Sequence, residues 1–206
     1  MFVITADQVD SRHGHDLVQP TLGAIAGTGR FVLPPERTAG DELQALTADP
    51  MVAVDVLVLL TRSGSWSIGL GVGDVDTPLP DATRAATGTA FYRARDAVEE
   101  AKSRPERLAV AIEPGRHRTT ADVEPLLAQT LRHLARRSAE DWALADLLAS
   151  GRTQHEVAEE LGITQQAVSK RAVRAGLRSD DGLRHALARL LDDADTPETQ
   201  TRTDDR

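Results

Sequence analysis

The chain has 206 residues, enough for one large domain or two small ones, each with its own core. Aromatic residues make up 3% and cysteine is absent, so the core must be built from Ala, Leu and Val, and disulfide and thiolate chemistry are excluded. A net charge of −8 excludes a general nucleic-acid coat, and the longest apolar run, Met51–Leu60, contains Asp55 and is too short to span a bilayer.

The first residues, MFVITADQVD, have neither the basic start nor the long apolar run of a signal peptide, which predicts a soluble cytoplasmic protein. Phe2–Ala6 reads as a short strand ending on Asp7, and residues 15–26 as a helix with Leu17, Val18, Leu22 and Ile25 inward. Arg30–Leu33 reads as a second strand loosened by Pro34 and Pro35, and a turn at Gly40-Asp41 feeds a third strand, Leu43–Leu46. Asp49–Arg62 reads as a largely buried helix stopped by Gly64. Trp66–Gly73 is the next strand, with Ile68, Leu70 and Val72 on one face and bare glycines on the other, where a backbone or ligand can come close. A Pro-rich loop precedes a long helix, Ala82–Ser103, and a final strand, Leu108–Ile112. The order is read as βαββαβ, the signature of a ferredoxin-like α+β sandwich over residues 1–113.

Residues 114–121 read as a polar, basic linker, and 122–191 as an all-α domain with helices at Asp122–Ser138, Asp141–Ala149 and Gly182–Leu191. The Thr- and Asp-rich segment 192–206 reads as a disordered acidic tail. Within the helical domain, GRTQHEVAEELGITQQAVSKRAVRAGL (151–177) carries the strongest functional signal. Thr153 and Glu156 form a capping box, Val157, Ala158 and Leu161 an apolar stripe, and Gly162 a helix stop. Thr164 caps a second helix running to Ala175, with Val168, Ala172 and Ala175 inward and Gln165, Gln166, Ser169, Lys170 and Arg174 outward.

Two short helices at a tight glycine turn, the second bearing long polar side chains, match the helix-turn-helix design. Gln can reach two atoms of an adenine edge, Lys or Arg a guanine or a phosphate, and Thr164 with the first helical amides a phosphate. The alternative is a helix hairpin with an ordinary solvated face. Charge favours the first reading: residues 130–178 carry a net +2, against −6 for 1–129 and −4 for 179–206. So small an excess implies a homodimer on double-stranded DNA. The stretch resembles the helix-turn-helix of bacterial regulators and of sigma-factor region four.

In the first domain, Asp7 at the exit of the first strand and Asp41 in the hairpin are expected to converge across the sheet, with Asp10 and Glu42 as second candidates. Paired carboxylates with nearby carbonyls suit Mg²⁺, which can hold a nucleotide's phosphates. Acids at strand ends and turns also serve simply as caps. His13 and His15 read as a polar loop, with a transition-metal site beside Asp10 and Asp16 as the alternative, and His155, on the exposed side of the first motif helix, as a solvated residue or a phosphate contact.

The segments FVITADQVDSR, RTAGDELQAL, SIGLGVG and GTAFYRARDAVEEAK occur in the order seen in the SatD family, and resemble the palm of class III nucleotidyl cyclases and GGDEF diguanylate cyclases. The resemblance covers roughly the first half of the chain. It implies that Asp7 and Asp41 hold metal ions on a nucleotide triphosphate and that Arg95 stabilises a transition state. Phe91 stands where the cyclase pattern has Asn, and a Phe can neither orient a ribose nor donate to an oxyanion. The combined expectation is a sequence-specific transcriptional regulator with a nucleotide-sensing or dimerising palm. The alternative is a Mg²⁺-dependent nucleotidyl cyclase-type enzyme targeted by its helix-turn-helix.

Overall fold

The computed structural model describes residues 1–11 and 14–198 as a mixed α+β structure. One sheet holds five strands in the order β2-β3-β1-β4-β5. Its middle strand, β1 (Phe2–Gln8), is antiparallel to β3 (Glu42–Thr47) on one side and to β4 (Trp66–Val72) on the other. Phe2, Ile4 and Ala6 are buried on one face and Val3 and Thr5 on the other, as a strand covered on both faces requires. The outer strand β5 (Leu108–Ile112) is parallel to β4 and reaches its place through helix α3 (Thr89–Ser103).

The edge strand β2 (Leu33–Ala39) differs from the expected Arg30–Leu33, because Pro34 and Pro35 lie inside it. A proline's missing amide costs nothing where it faces away from the neighbouring strand, and the β2–β3 register shifts between Leu33 and Glu36, where the adjacent Pro34 and Pro35 fall, so that neither need donate to β3. The hairpin turns at Gly40-Asp41, with Gly40 at φ 46°. The long helix expected from Ala82 is broken into a single 3₁₀ turn at Thr83–Ala85 and α3 from Thr89. Gly88 makes the break: its φ is 134°, and a Cβ there would lie 2.6 Å from the Asp74 carbonyl oxygen.

The bare positions of β4 admit a backbone rather than a ligand. Helix α3 lies so close that a Cβ on Gly69 would collide with the Ala94 carbonyl and the Val98 amide, and one on Gly71 with the Ala90 carbonyl and the Ala94 amide. Ala90, Phe91, Ala94 and Ala97 of α3 are buried in this contact.

On the opposite face lie α1 (Val18–Ala26) and α2 (Pro50–Ser63), the latter capped by Asp49 and ended by left-handed Gly64. Seven residues of α2 are buried around most of its circumference, leaving Met51, Asp55, Leu59 and Arg62 as one less-buried line, and so broad an apolar face needs cover on more than one side. The sheet covers one side, and α4 (Thr120–Ala135) and α8 (Asp180–Asp195) cover the other. Val123, Leu127, Leu131, Leu187 and Leu191 therefore join the same core as Phe2, Leu57 and Leu70. Asp55, the one acid inside α2, pairs with Arg184 of α8 at 2.6 Å.

The main core thus crosses the expected boundary at residue 113, and the segment 114–121 is no free linker. Arg116 is 8% exposed, and it donates to Glu113, to Asp74 at 2.6 Å and to the Asp195 carbonyl at 2.6 Å. Helix α8 also outruns the expected stop at Leu191, since Leu191 and Ala194 are buried, and Pro197 bridges back to Arg116. Of the expected disordered tail, 199–206 lies outside the described residues, as does His13. None of the described helices is long and apolar enough to cross a membrane.

Two measurements check this packing. Gly71→Ala should destabilise the protein by about 1–3 kcal/mol or more, read as a lower urea midpoint, because the α3 backbone must retreat; an unchanged midpoint would contradict the close approach. Burial pushes the Glu113 carboxyl up, but Arg116, the Thr89 hydroxyl and the Asp74 amide together hold it below its ordinary 4.5. A depressed acid stabilises the fold above its unfolded pKa and loses that contribution as pH falls through the folded value. The stability gap between wild type and Glu113→Gln should therefore be constant near neutrality and shrink below about pH 4.5.

Candidate nucleic-acid interface

Helices α5 (Ala139–Ala149), α6 (Gln154–Leu161) and α7 (Gln165–Arg174) share a small core separate from the main one. Leu144, Val157, Ala158, Val168 and Ala172 form it, with Leu147, Leu148, Leu161 and Leu177 packed around them. Local chemistry fixes each turn. The Ser138–Asp141 box starts α5 and the Thr153–Glu156 box starts α6, where the Thr153 amide donates to Glu156 at 2.7 Å. Gly162 is left-handed at φ 64°, and the Ile163 amide donates to the Ala158 carbonyl at 3.0 Å. The Thr164 hydroxyl accepts from the Ala167 amide at 3.2 Å, opening α7.

Gln165, Gln166 and Lys170 are exposed and Ser169 is half-buried. Neither Lys170 nor Arg178 has an ion-pair partner among the described residues. Arg174 is exposed, as expected, with 68% of its side chain accessible, and it also reaches Asp141 at 3.1 Å, while Arg171 approaches the same carboxylate at 3.7 Å. Asp141 already closes the α5 capping box, so it ties α7 to α5. The motif alone gave no sign of this, because Asp141 lies two helices upstream.

Val173 is the residue that sequence reasoning missed. It is 58% exposed and follows Gln166 and Lys170 at helical spacing, so it belongs to the same outward line. His155 is exposed and lies 3.5 Å from Glu159, while Arg152 meets Glu160 at 3.4 Å. The α6 surface is therefore acidic and the α7 surface basic.

Trp142 and Arg137 fix this unit to the rest of the molecule. The Arg62 and Arg137 guanidiniums stand over the Trp142 ring at 5.0 and 5.1 Å. Arg62 grips Asp146 with two hydrogen bonds, at 2.8 and 2.9 Å. Arg137, almost fully buried, donates to the Ala175 carbonyl at the end of α7 and to both Asp180 oxygens at the start of α8.

The acidic residues of the sheet have separate partners. Asp7 is paired with Lys102 of α3 at 3.2 Å. Asp41 accepts from the Ser11 hydroxyl and lines a cleft with Gln8, Asp16 and Arg37, in which Arg37 already pairs with Asp16 at 2.5 Å. The reason is strand alternation: Asp7 shares the α3-facing side of β1 with Val3 and Thr5, whereas Gln8, next along, faces the cleft. Asp10 is held in a left-handed conformation at φ 54°, and Glu42 accepts from Thr38. Among the described residues there is no group of three or more His, Cys, Asp or Glu placed to hold a metal ion. Phe91 fills the core between α3 and the sheet with Val3 and Leu46, while Arg95, one turn on, is exposed.

No protein-family model matches the chain, and neither curated proteins nor solved structures show a significant match to it.

Proposed function

We propose that the chain is a sequence-specific DNA-binding transcriptional regulator that reads the major groove with α7. In this reading α6 and α7 are a helix-turn-helix, α5 its supporting helix, and the sheet half a ferredoxin-like sandwich that carries it. The order β4-β1-β3-β2 with βαββαβ connections supports the sandwich, extended here by α3 and β5. The observation that carries the DNA reading is the outward line of α7. Gln166 and Lys170 project from a helix whose start, turn and inner face are all fixed by caps and packing.

Roles follow from chemistry. Gln166, with Gln165 beside it, is suited to an adenine edge, and Val173 to a thymine methyl group. Lys170 is suited to a guanine or a phosphate, and the α7 amides near Thr164 to the backbone phosphate at the helix start. Arg174 and Arg171 act as braces that set the tilt of α7 through Asp141. With few unpaired cations on the face, two copies on half-sites about 34 Å apart supply the affinity, so the DNA-bound form is a homodimer. The cyclase-type alternative needs two carboxylates on one nucleotide; the Asp7–Lys102 pair and the core position of Phe91 weigh against it.

The test is a gel shift on an operator selected from random DNA. Gln166→Ala should lose about 1–3 kcal/mol of discrimination at one base pair, and Lys170→Ala should lower the salt slope of binding by about 1 with sequence preference kept. Binding unchanged in both variants would place the contact surface elsewhere.

A further inference from the structure

The cavity that opens between the sheet half and α4 has a different chemistry from the acidic cleft. It measures about 340 Å³, at the lower end of the range for small-molecule sites. Its floor is apolar: Leu60 from α2, Trp66 and Ile68 from β4, Leu108 from β5, and Ala128 and Leu131 from α4. Around this floor stand Arg107, Arg132 and Arg136, with Glu106 the one acid. Glu106 is taken by Arg132 at 3.4 Å, and Arg107 donates to the Ser67 hydroxyl at 3.1 Å. Arg136 has no ion-pair partner among the described residues. The lining therefore carries an excess of positive charge at the edge of an apolar hollow.

Trp66 lines this cavity with its ring. Trp66 is 3% exposed, and its indole N–H is the buried side-chain polar atom that finds no acceptor among the described residues. Beside it, Arg107 is held left-handed at φ 48°, a backbone conformation that side-chain-bearing residues seldom adopt.

We propose that this cavity binds a small organic acid with an apolar body, an aromatic or short-chain carboxylate. The apolar body lies on Leu60, Ile68 and Leu131, against the Trp66 ring, and the carboxylate charge is met by Arg136 and Arg132. The location gives the site a regulatory meaning. Its wall is the last turn of α4, and the residue after Arg136 is Arg137, which grips both ends of the α7–α8 connection. An occupant that moves the end of α4 moves the clamp on the DNA-reading unit. Occupancy itself is independent of whether α7 reads DNA, and it is tested without DNA.

The experiment is a titration of the full-length, ¹⁵N-labelled protein, following the two tryptophan indole resonances, with Trp142→Phe used to assign that of Trp66. The probes are benzoate, phenylacetate and hexanoate, each paired with the alcohol of the same skeleton. At least one acid should shift the Trp66 resonance saturably, with its matched alcohol about tenfold weaker. Arg136→Gln, at an exposed helix end where folding is undisturbed, should weaken the same acid about tenfold, and Arg132→Gln should do so to a smaller extent. The proposal is overturned if no acid in the panel shifts the Trp66 resonance, if acid and alcohol bind equally, or if both arginine variants keep wild-type affinity.

Discussion

A helix that is apolar around most of its circumference needs more cover than a sheet on one side, and α2 is such a helix. Val52, Val54, Val56, Leu57, Val58 and Leu60 leave only a narrow, partly exposed line through Met51, Asp55, Leu59 and Arg62, so the sheet alone cannot satisfy it. The second layer, α4 and α8, exists to complete its cover, and this requirement joins the two halves of the chain into one core. The polar links follow the same seam. Asp55 meets Arg184, Arg62 meets Asp146, and Arg116 ties Glu113 and Asp74 to the end of α8. The partly exposed Asp55–Arg184 and Arg62–Asp146 pairs contribute little singly, so the apolar cover supplies most of the stability and the ion pairs fix the register.

The consequence for function is that the α5–α7 unit is held at a set angle. It has its own small core, built from Leu144, Val157 and Val168, but it does not hang from a flexible segment. Trp142 is held between Arg62 of α2 and Arg137 just after α4, and Arg137 reaches across to the carbonyl that ends α7. A change at the end of α4 is therefore passed to α7 through one guanidinium. The direction in which α7 faces depends on how α4 lies on α2.

Much of the local structure was legible because its causes are local. Thr153 with Glu156, Gly162 and Thr164 each act within one turn, and the structure has the caps and the corner where those residues put them. The alternation of Ile68, Leu70 and Val72 with glycines announced a close approach on one face of β4. The features that were not legible depend on partners far away in sequence. The side chain of Asp7 turns to Lys102 and that of Asp41 to Ser11, a distinction set by which helix covers which face. Pro34 and Pro35 look like a strand terminator until β2 proves to be an edge. The stripes of α4 and α8 suit a neighbouring helix of their own bundle as well as they suit α2, so periodicity cannot tell where the main core ends.

The claim that one core runs through both halves is tested most directly with Leu57→Ala, which opens a cavity in α2 at a cost of about 2–5 kcal/mol. Unfolding in urea would be followed by the indole resonances of Trp66 in β4 and Trp142 in α5, which report on the two halves separately. The account predicts that both native signals disappear at the same, lowered urea concentration. If Trp142 kept its native resonance and midpoint while Trp66 lost its own, the halves would be independent units and α2 would not be their common core.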